Sequence, residues 1–245
     1  MKASICIATY DKPTALRRTL DSIYAQSPPF EWEVIVVDDG GPGKETMVVC
    51  ESYPSLQYVR MPVKQYGNPA KARNLAYRRA KGEVIIAQSD DVIHRSPNCI
   101  QRLVEELRPG TFVIATVVNV DGNGNTCCDP SGSGYGDYLE LYTGPSKPRP
   151  LFFLGSLYRD DLYAVGGNDE EFVAPSAEDR WFAMCLMQGR GLTPVFPPDI
   201  VGHHQYHRHC PIVSIAPSQT LIKHKVAVAQ RSGVWQASGG PWPTT

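Results

Sequence analysis

Five short β-branched runs punctuate the first half of the chain: SICIA (4–8), EVIVV (33–37), LQYV (56–59), EVIIA (83–87) and FVIATVV (112–118). Segments of helical period separate them. In KPTALRRTLDSIYAQS, Pro13 suits a first helical turn and Leu16, Leu20, Ile23 and Tyr24 share one face. GNPAKARNLAYRRAKG puts Asn68 at the N-cap and Pro69 next, turns Ala72, Leu75 and Ala76 inward, and stops at Gly82. SPNCIQRLVEELRPG repeats this grammar from Ser96 through Ile100, Leu103, Val104 and Leu107. Strand and helix alternating in this way predict three βα units and a mostly parallel central sheet flanked by helices, an α/β fold.

The second half is less regular. Asp121 to Tyr138 is rich in Gly, Ser and Asn and reads as a long mobile loop, of the kind that closes over active sites. A short strand and helix follow in LFFLGSLYRDDLYAVGG, then a helix in SAEDRWFAMCLMQGRG with Trp181, Phe182, Cys185 and Leu186 inward. Last come a His-rich stretch, VGHHQYHRHC, and a Pro/Gly/Ser segment expected to fray. The expected organisation is one domain over 1–231, with a more regular half to about 118 and a less regular half from 119, and a flexible tail over 232–245.

Composition narrows the partners. Lys plus Arg number 24 against 25 Asp plus Glu, which argues against a general polyanion binder. Seven scattered Cys suit reduced core thiols better than a disulfide framework, so a cytoplasmic or membrane-peripheral setting is expected. No apolar run approaches the length of a membrane span. Vicinal Cys127 and Cys128 lack a C-x-x-C partner and read as incidental.

The candidate chemistry sits where two strands end. EVIVV runs into Asp38 and Asp39, and EVIIA leads through Gln88 and Ser89 into Asp90 and Asp91. Ligands of open parallel sheets bind beyond the carboxyl ends of the strands, so all four acids converge there. Each pair alone reads as a turn cap; two pairs at one sheet edge call for a divalent cation and a donor-rich ligand to offset their repulsion.

With SICIATYDKPTALRRTLDSI, VIVVDDGG, GNPAKARNLAYRRAKGEVI, QSDDV, and VGGNDEEF followed by SAEDRWFAMCLMQGRG in that order, the chain resembles the inverting family-two glycosyltransferases of the GT-A fold. The resemblance implies metal-dependent transfer of a sugar from a nucleoside diphosphate, UDP-sugar first, to an acceptor hydroxyl, with a nucleotide-binding half to about 118 and an acceptor half over about 119–231. Ala8, Thr9 and Tyr10 would surround the nucleoside, Asp39 would accept a hydrogen bond from the base, and Arg73 would lie near the base or diphosphate. Asp90 and Asp91 match the acidic metal motif, with Ser89 where its first acid usually stands. Asp91 would bind Mn²⁺ or Mg²⁺ and Asp90 the ribose or a metal-bound water. Asp179 would be the general base, Glu178 its acceptor-orienting partner, and Gly155 and Ser156 would face the acceptor. A late histidine would add a metal ligand, His203 before His204. Read without the resemblance, Ser176 to Asp179 is also a capping box, and the histidines at 203, 204, 207 and 209 suit zinc or a surface cluster. A decayed, non-catalytic binding module and a sugar nucleotidyltransferase are the rival classes; the latter lacks its Gly-rich triphosphate loop here. A glycan, a lipid-linked saccharide, a protein and a modified nucleobase all remain open as acceptor.

Overall fold

The most apolar runs form the middle of one sheet. In the computed structural model, which describes residues 1–64, 67–120, 141–205 and 214–244, β1 (Ala3–Thr9) lies between β2 (Trp32–Asp38) and β4 (Val84–Ser89), parallel to both. β3 (Gln57–Arg60) extends the sheet beyond β2. On the far side of β4, β9 (Leu154–Tyr158) runs antiparallel to β4 and to β6 (Thr111–Ile114), and β10 (Thr193–Val195) closes the edge parallel to β6. The order is β10-β6-β9-β4-β1-β2-β3.

Strand alternation divides the core between the two faces. Ile5, Ile7, Val34, Val36, Val84 and Ile86 point toward α1 (Pro13–Tyr24), α2 (Glu45–Glu51) and α4 (Cys99–Glu105). Cys6, Ile35, Val37, Ile85 and Ala87 point toward α3 (Ala70–Arg79), α5 (Arg159–Val165), α6 (Glu178–Met184) and α7 (Ala216–Ser232). Both faces being covered explains why these strands read as continuous apolar runs rather than alternating ones. Cys6, Cys50, Cys99 and Cys185 are buried free thiols.

The run 112–118 is two strands, not the expected one. The Ala115 amide donates to Leu154 O at 2.9 Å, the Thr116 amide to Ile200 O at 2.8 Å, and the chain thereby leaves the main sheet. After that step, β7 (Thr116–Asn119) joins a second sheet with β5 (Val92–His94), β8 (Leu141–Thr143) and β11 (Val201–His204), ordered β5-β11-β7-β8. This small sheet carries β11 across the ends of β1 and β4.

Two helices, α2 and α7, stand where the pattern predicted none. The C-terminal segment, expected to fray, is docked: Ala237 N–H donates to Val165 O and Trp242 N–H to Tyr163 O, each at 2.8 Å. Trp242 packs edge-on against Tyr163 under the Arg78 guanidinium, and Trp235 packs on Trp181. The aromatic area of two tryptophans outweighs the local Pro/Gly content. The segment 121–138 expected to be a lid lies outside the described residues, as do Cys127, Cys128, His207 and His209. Among the described residues no helix is long and apolar enough to cross a membrane.

Candidate functional site

Because β1, β2 and β4 are parallel, their carboxyl ends share one edge, with Thr9 level with Asp38 and Ala8 level with Ser89. Asp38, Asp39, Asp90 and Asp91 gather there, all buried. Their partners differ in kind. Asp38, fully buried, accepts from the Gly41 amide at 2.8 Å and from the Tyr58 hydroxyl at 2.9 Å, the bonds of a turn cap. Asp39 instead faces the Lys64 ammonium, which also lies 4.4 Å from the Tyr10 ring centroid. Burial pushes the Asp39 carboxyl above its ordinary range despite the pull of Lys64. Gly40 makes this possible: its φ is +76°, and a Cβ there would lie 2.4 Å from the Lys64 nitrogen.

At the β4 end the Thr9 hydroxyl donates to Asp90 Oδ2 at 2.7 Å and the Thr19 hydroxyl to the Asp90 carbonyl at 2.9 Å. Lys12 Nζ lies 2.6 Å from Asp91 Oδ2 and 3.6 Å from Asp90 Oδ1. The Gln205 amide donates to the Asp91 carbonyl at 2.8 Å, drawing β11 over the site. His204 Nε2 thereby comes 3.5 Å from Asp91 Oδ1, while its Nδ1 meets Asn119 Oδ1 at 3.0 Å. With Nδ1 as the donor, Nε2 turns its lone pair toward a carboxylate oxygen, and a cation between the two resolves that contact. Carboxylate oxygen and imidazole nitrogen suit Mn²⁺ or Mg²⁺, the remaining ligands coming from phosphate and water. Among the described residues no cluster of three or more His, Cys, Asp or Glu forms a ready cage, and a cation here would need ligands from outside the protein.

Of the two candidate histidines, His204 is the one beside Asp91. Successive strand residues face opposite ways, so His203 turns from Asp91 when His204 turns toward it. Burial, then Arg95, lowers the His203 pKa.

The Glu178–Asp179 pair lies across the sheet edge at the start of α6. Ser176 (φ 79°) and Ala177 (φ 72°) precede it in the left-handed region, a strain that non-glycine residues hold only under tertiary constraint. The capping box is absent, since α6 has no side-chain cap and Ser176 Oγ accepts from Gln219. Asp179 Oδ1 accepts from Arg73, placing that arginine on the Glu-Asp pair. Burial alone would lower the Arg73 pKa, but the Asp179, Tyr77 and Glu178 charges push it up. Glu178 is 8% exposed, and its pKa is pushed up to about 7, by burial first and then by the Asp179 charge.

Gly155 and Ser156, expected at the acceptor, lie inside the main sheet. β9 is threaded between β4 and β6, a Cβ on Gly155 would lie 2.6 Å from Val113 O, and the buried Ser156 hydroxyl donates to Leu103 O at 2.6 Å. Sequence reasoning passed over Lys12, Lys64 and Asn119. Lys12 follows the first strand in TYDKP and Asn119 ends an apolar run, the same signal that marked the aspartates.

Residues 4–162 match the sequence model of a family described as Glycosyl transferase family 2. An uncharacterized glycosyltransferase of Bacillus subtilis, YwdF, is 31% identical over 169 residues, 66% of this chain and 60% of that protein. The poly(ribitol-phosphate) beta-N-acetylglucosaminyltransferase TarS of Staphylococcus aureus is 33% identical over 99 residues, 39% of this chain but 17% of its own length. Among solved structures, the mannosyltransferase PcManGT from Pyrobaculum calidifontis, in complex with GDP-Man and Mn²⁺, superposes with TM-score 0.63 at 21% identity, over 94% of this chain and 64% of that one. TarS of S. aureus in complex with UDP gives 0.67 at 19% identity, over 94% and 66%. At such identities the likeness is one of fold.

Proposed function

Since the chain belongs to glycosyl transferase family 2 and has the GT-A fold, we propose that it is an inverting glycosyltransferase that moves a sugar from a UDP-sugar to an acceptor hydroxyl, with a divalent cation at Asp91. The observation that carries this reading is the edge shared by β1, β2 and β4. It sets Asp39 and Tyr10 beside a lysine at one end, and Asp91 and His204 3.5 Å apart at the other. Asp39 accepts from the base N–H, with Thr9 and Tyr10 around the nucleoside. Asp91 and His204 hold Mn²⁺ or Mg²⁺, and Asp90, fixed by Thr9, contacts the ribose or a metal-bound water. A cation held by Asp91 and His204 would supply positive charge to offset the negative charge that develops on the departing diphosphate.

Asp179 takes the proton from the acceptor hydroxyl. Arg73 holds one carboxylate oxygen and leaves the other to the acceptor, on a side chain 16% exposed. Glu178, buried beside it, orients the acceptor. A single displacement inverts the anomeric carbon and needs no covalent intermediate. The test is release of UDP from UDP-sugars in Mn²⁺, with and without EDTA. Asp179→Asn should cut transfer by about 10²–10⁴-fold with UDP affinity unchanged. A fully active Asp179→Asn enzyme would remove the base assignment.

A further inference from the structure

We propose that Lys12 is an exchangeable counter-ion. Its ammonium neutralises Asp91 and Asp90 in the donor-free protein, yields that place to the divalent cation, and moves to the donor's diphosphate. The inference rests on the donor and metal site proposed above and adds to it a residue and an order of events.

The partners of the two acids fall into fixed and movable groups. Thr9, Thr19 and the Gln205 amide hold Asp90 and the Asp91 backbone from β1, α1 and the residue after β11, at 2.7–2.9 Å. None of these bonds involves Lys12, so Asp90 and the Asp91 backbone stay in place when it leaves. Lys12 itself reaches the pair on a flexible stem, its side chain 29% exposed against 3% for Asp91. It springs from a tight reversal between β1 and α1, where Asp11 has φ 52°. Its Nζ stands 2.6 Å from Asp91 Oδ2, while His204 approaches the other oxygen of that carboxylate. An ammonium at that distance and a dication on the same carboxylate repel each other strongly in a partly desolvated site. A diphosphate bridging the cation brings compensating negative charge within reach of a displaced lysine, which acts as a compact point charge with three donors. Metal and nucleotide therefore favour each other's binding, and the coupling is reciprocal.

Titrating Mn²⁺ alone, followed by electron paramagnetic resonance, and then UDP and GDP in saturating Mn²⁺, followed by calorimetry, tests this on wild type, Lys12→Met and Lys12→Arg. Melting temperatures confirm that each variant is folded. Lys12→Met should bind Mn²⁺ alone about 10-fold more tightly and the nucleotide about 10-fold more weakly, a pair of opposite shifts within the usual range of site coupling. Lys12→Arg, which keeps the charge, should hold Mn²⁺ affinity near wild type. Unchanged or weaker binding of Mn²⁺ alone by folded Lys12→Met would overturn the counter-ion role while leaving the donor site standing. Wild type that binds neither nucleotide in Mn²⁺ would instead overturn the donor-site reading, and the inference with it.

Discussion

The carboxyl ends of β2 and β4 solve the same problem twice and differently. Each presents two adjacent aspartates at the edge of a parallel sheet. In each, the first residue takes hydroxyl or amide donors from the scaffold, Gly41 and Tyr58 for Asp38 and Thr9 for Asp90. The second residue meets a lysine, Lys64 at Asp39 and Lys12 at Asp91. Lys12 also stands 3.6 Å from Asp90, so that acid shares in the arrangement. The ends part company in what stands beside the lysine: an aromatic ring at Asp39, an imidazole at Asp91. A ring and a carboxylate suit a base, an imidazole and a carboxylate suit a cation. Donors built into strands and turns are fixed by the fold, whereas a lysine reaches its carboxylate on a flexible stem.

The largest break in this comparison comes from Asp91→Asn. It keeps the volume but halves the proposed cation's protein ligands and removes a charge. Transfer should fall by about 10²-fold or more, since a Lewis-acid cation supplies several kcal/mol to a developing charge. UDP binding should become indifferent to Mn²⁺. Calorimetry with and without EDTA decides, and undiminished metal dependence would return the site to Asp90 and His204 alone.

At the other end, neighbouring substitutions should act on different observables. Asp39→Ala should weaken UDP binding by roughly 10- to 100-fold, the loss of about 1.5–3 kcal/mol from one charge-accepting bond, with metal dependence intact. Asp38→Ala leaves the Gly41 amide and Tyr58 hydroxyl without their acceptor in a buried place. It should cost about 2 kcal/mol, a fall of roughly 4–8 °C in Tm, with UDP affinity little changed. If Asp38→Ala lost nucleotide affinity and Asp39→Ala lost stability, the division between scaffold and ligand acids would be reversed.

Much of this was legible in the sequence because it is local. Apolar runs bounded by helix signals located β1, β2 and β4, and strand ends marked the aspartates. What escaped depends on contacts between distant segments. Strand alternation says that His203 and His204 face opposite ways but not which faces Asp91; the Gln205 amide bond to the Asp91 carbonyl decides that. Gly155 reads as a place for a ligand, yet its missing Cβ makes room for Val113 O of a strand more than forty positions earlier. α7 was missed because it buries little, chiefly Ser218, Ile222 and Ala229, so its apolar stripe is faint. The lysine partners lie 25 and 79 positions from their acids, which no local pattern reports.

Another adjacent acid pair, Glu178–Asp179, extends the comparison and is read in stability alone. Here the second residue again has a cation, Arg73, but Glu178 Oε2 is buried with no hydrogen-bond partner among the described residues, and its carboxyl is lifted to about 7. A carboxyl whose folded pKa exceeds its unfolded value of 4.5 binds more protons folded than unfolded between those two values. Stability therefore falls as pH rises from about 4.5 to about 7 and is level above. Glu178→Gln removes the ionisation and keeps an acceptor, so the variant should match wild type at pH 4.5 and exceed it at pH 8. The difference should open between about pH 4.5 and about pH 7 and stay constant above that. Urea unfolding at the two pH values measures the difference. Equal stability at pH 8 would mean that Glu178 ionises without penalty, as it would if an unseen donor served it like the scaffold donors of Asp38. A gain confined to high pH would set this pair apart from both strand ends, as a place where the protein holds a proton rather than a lysine against its acid.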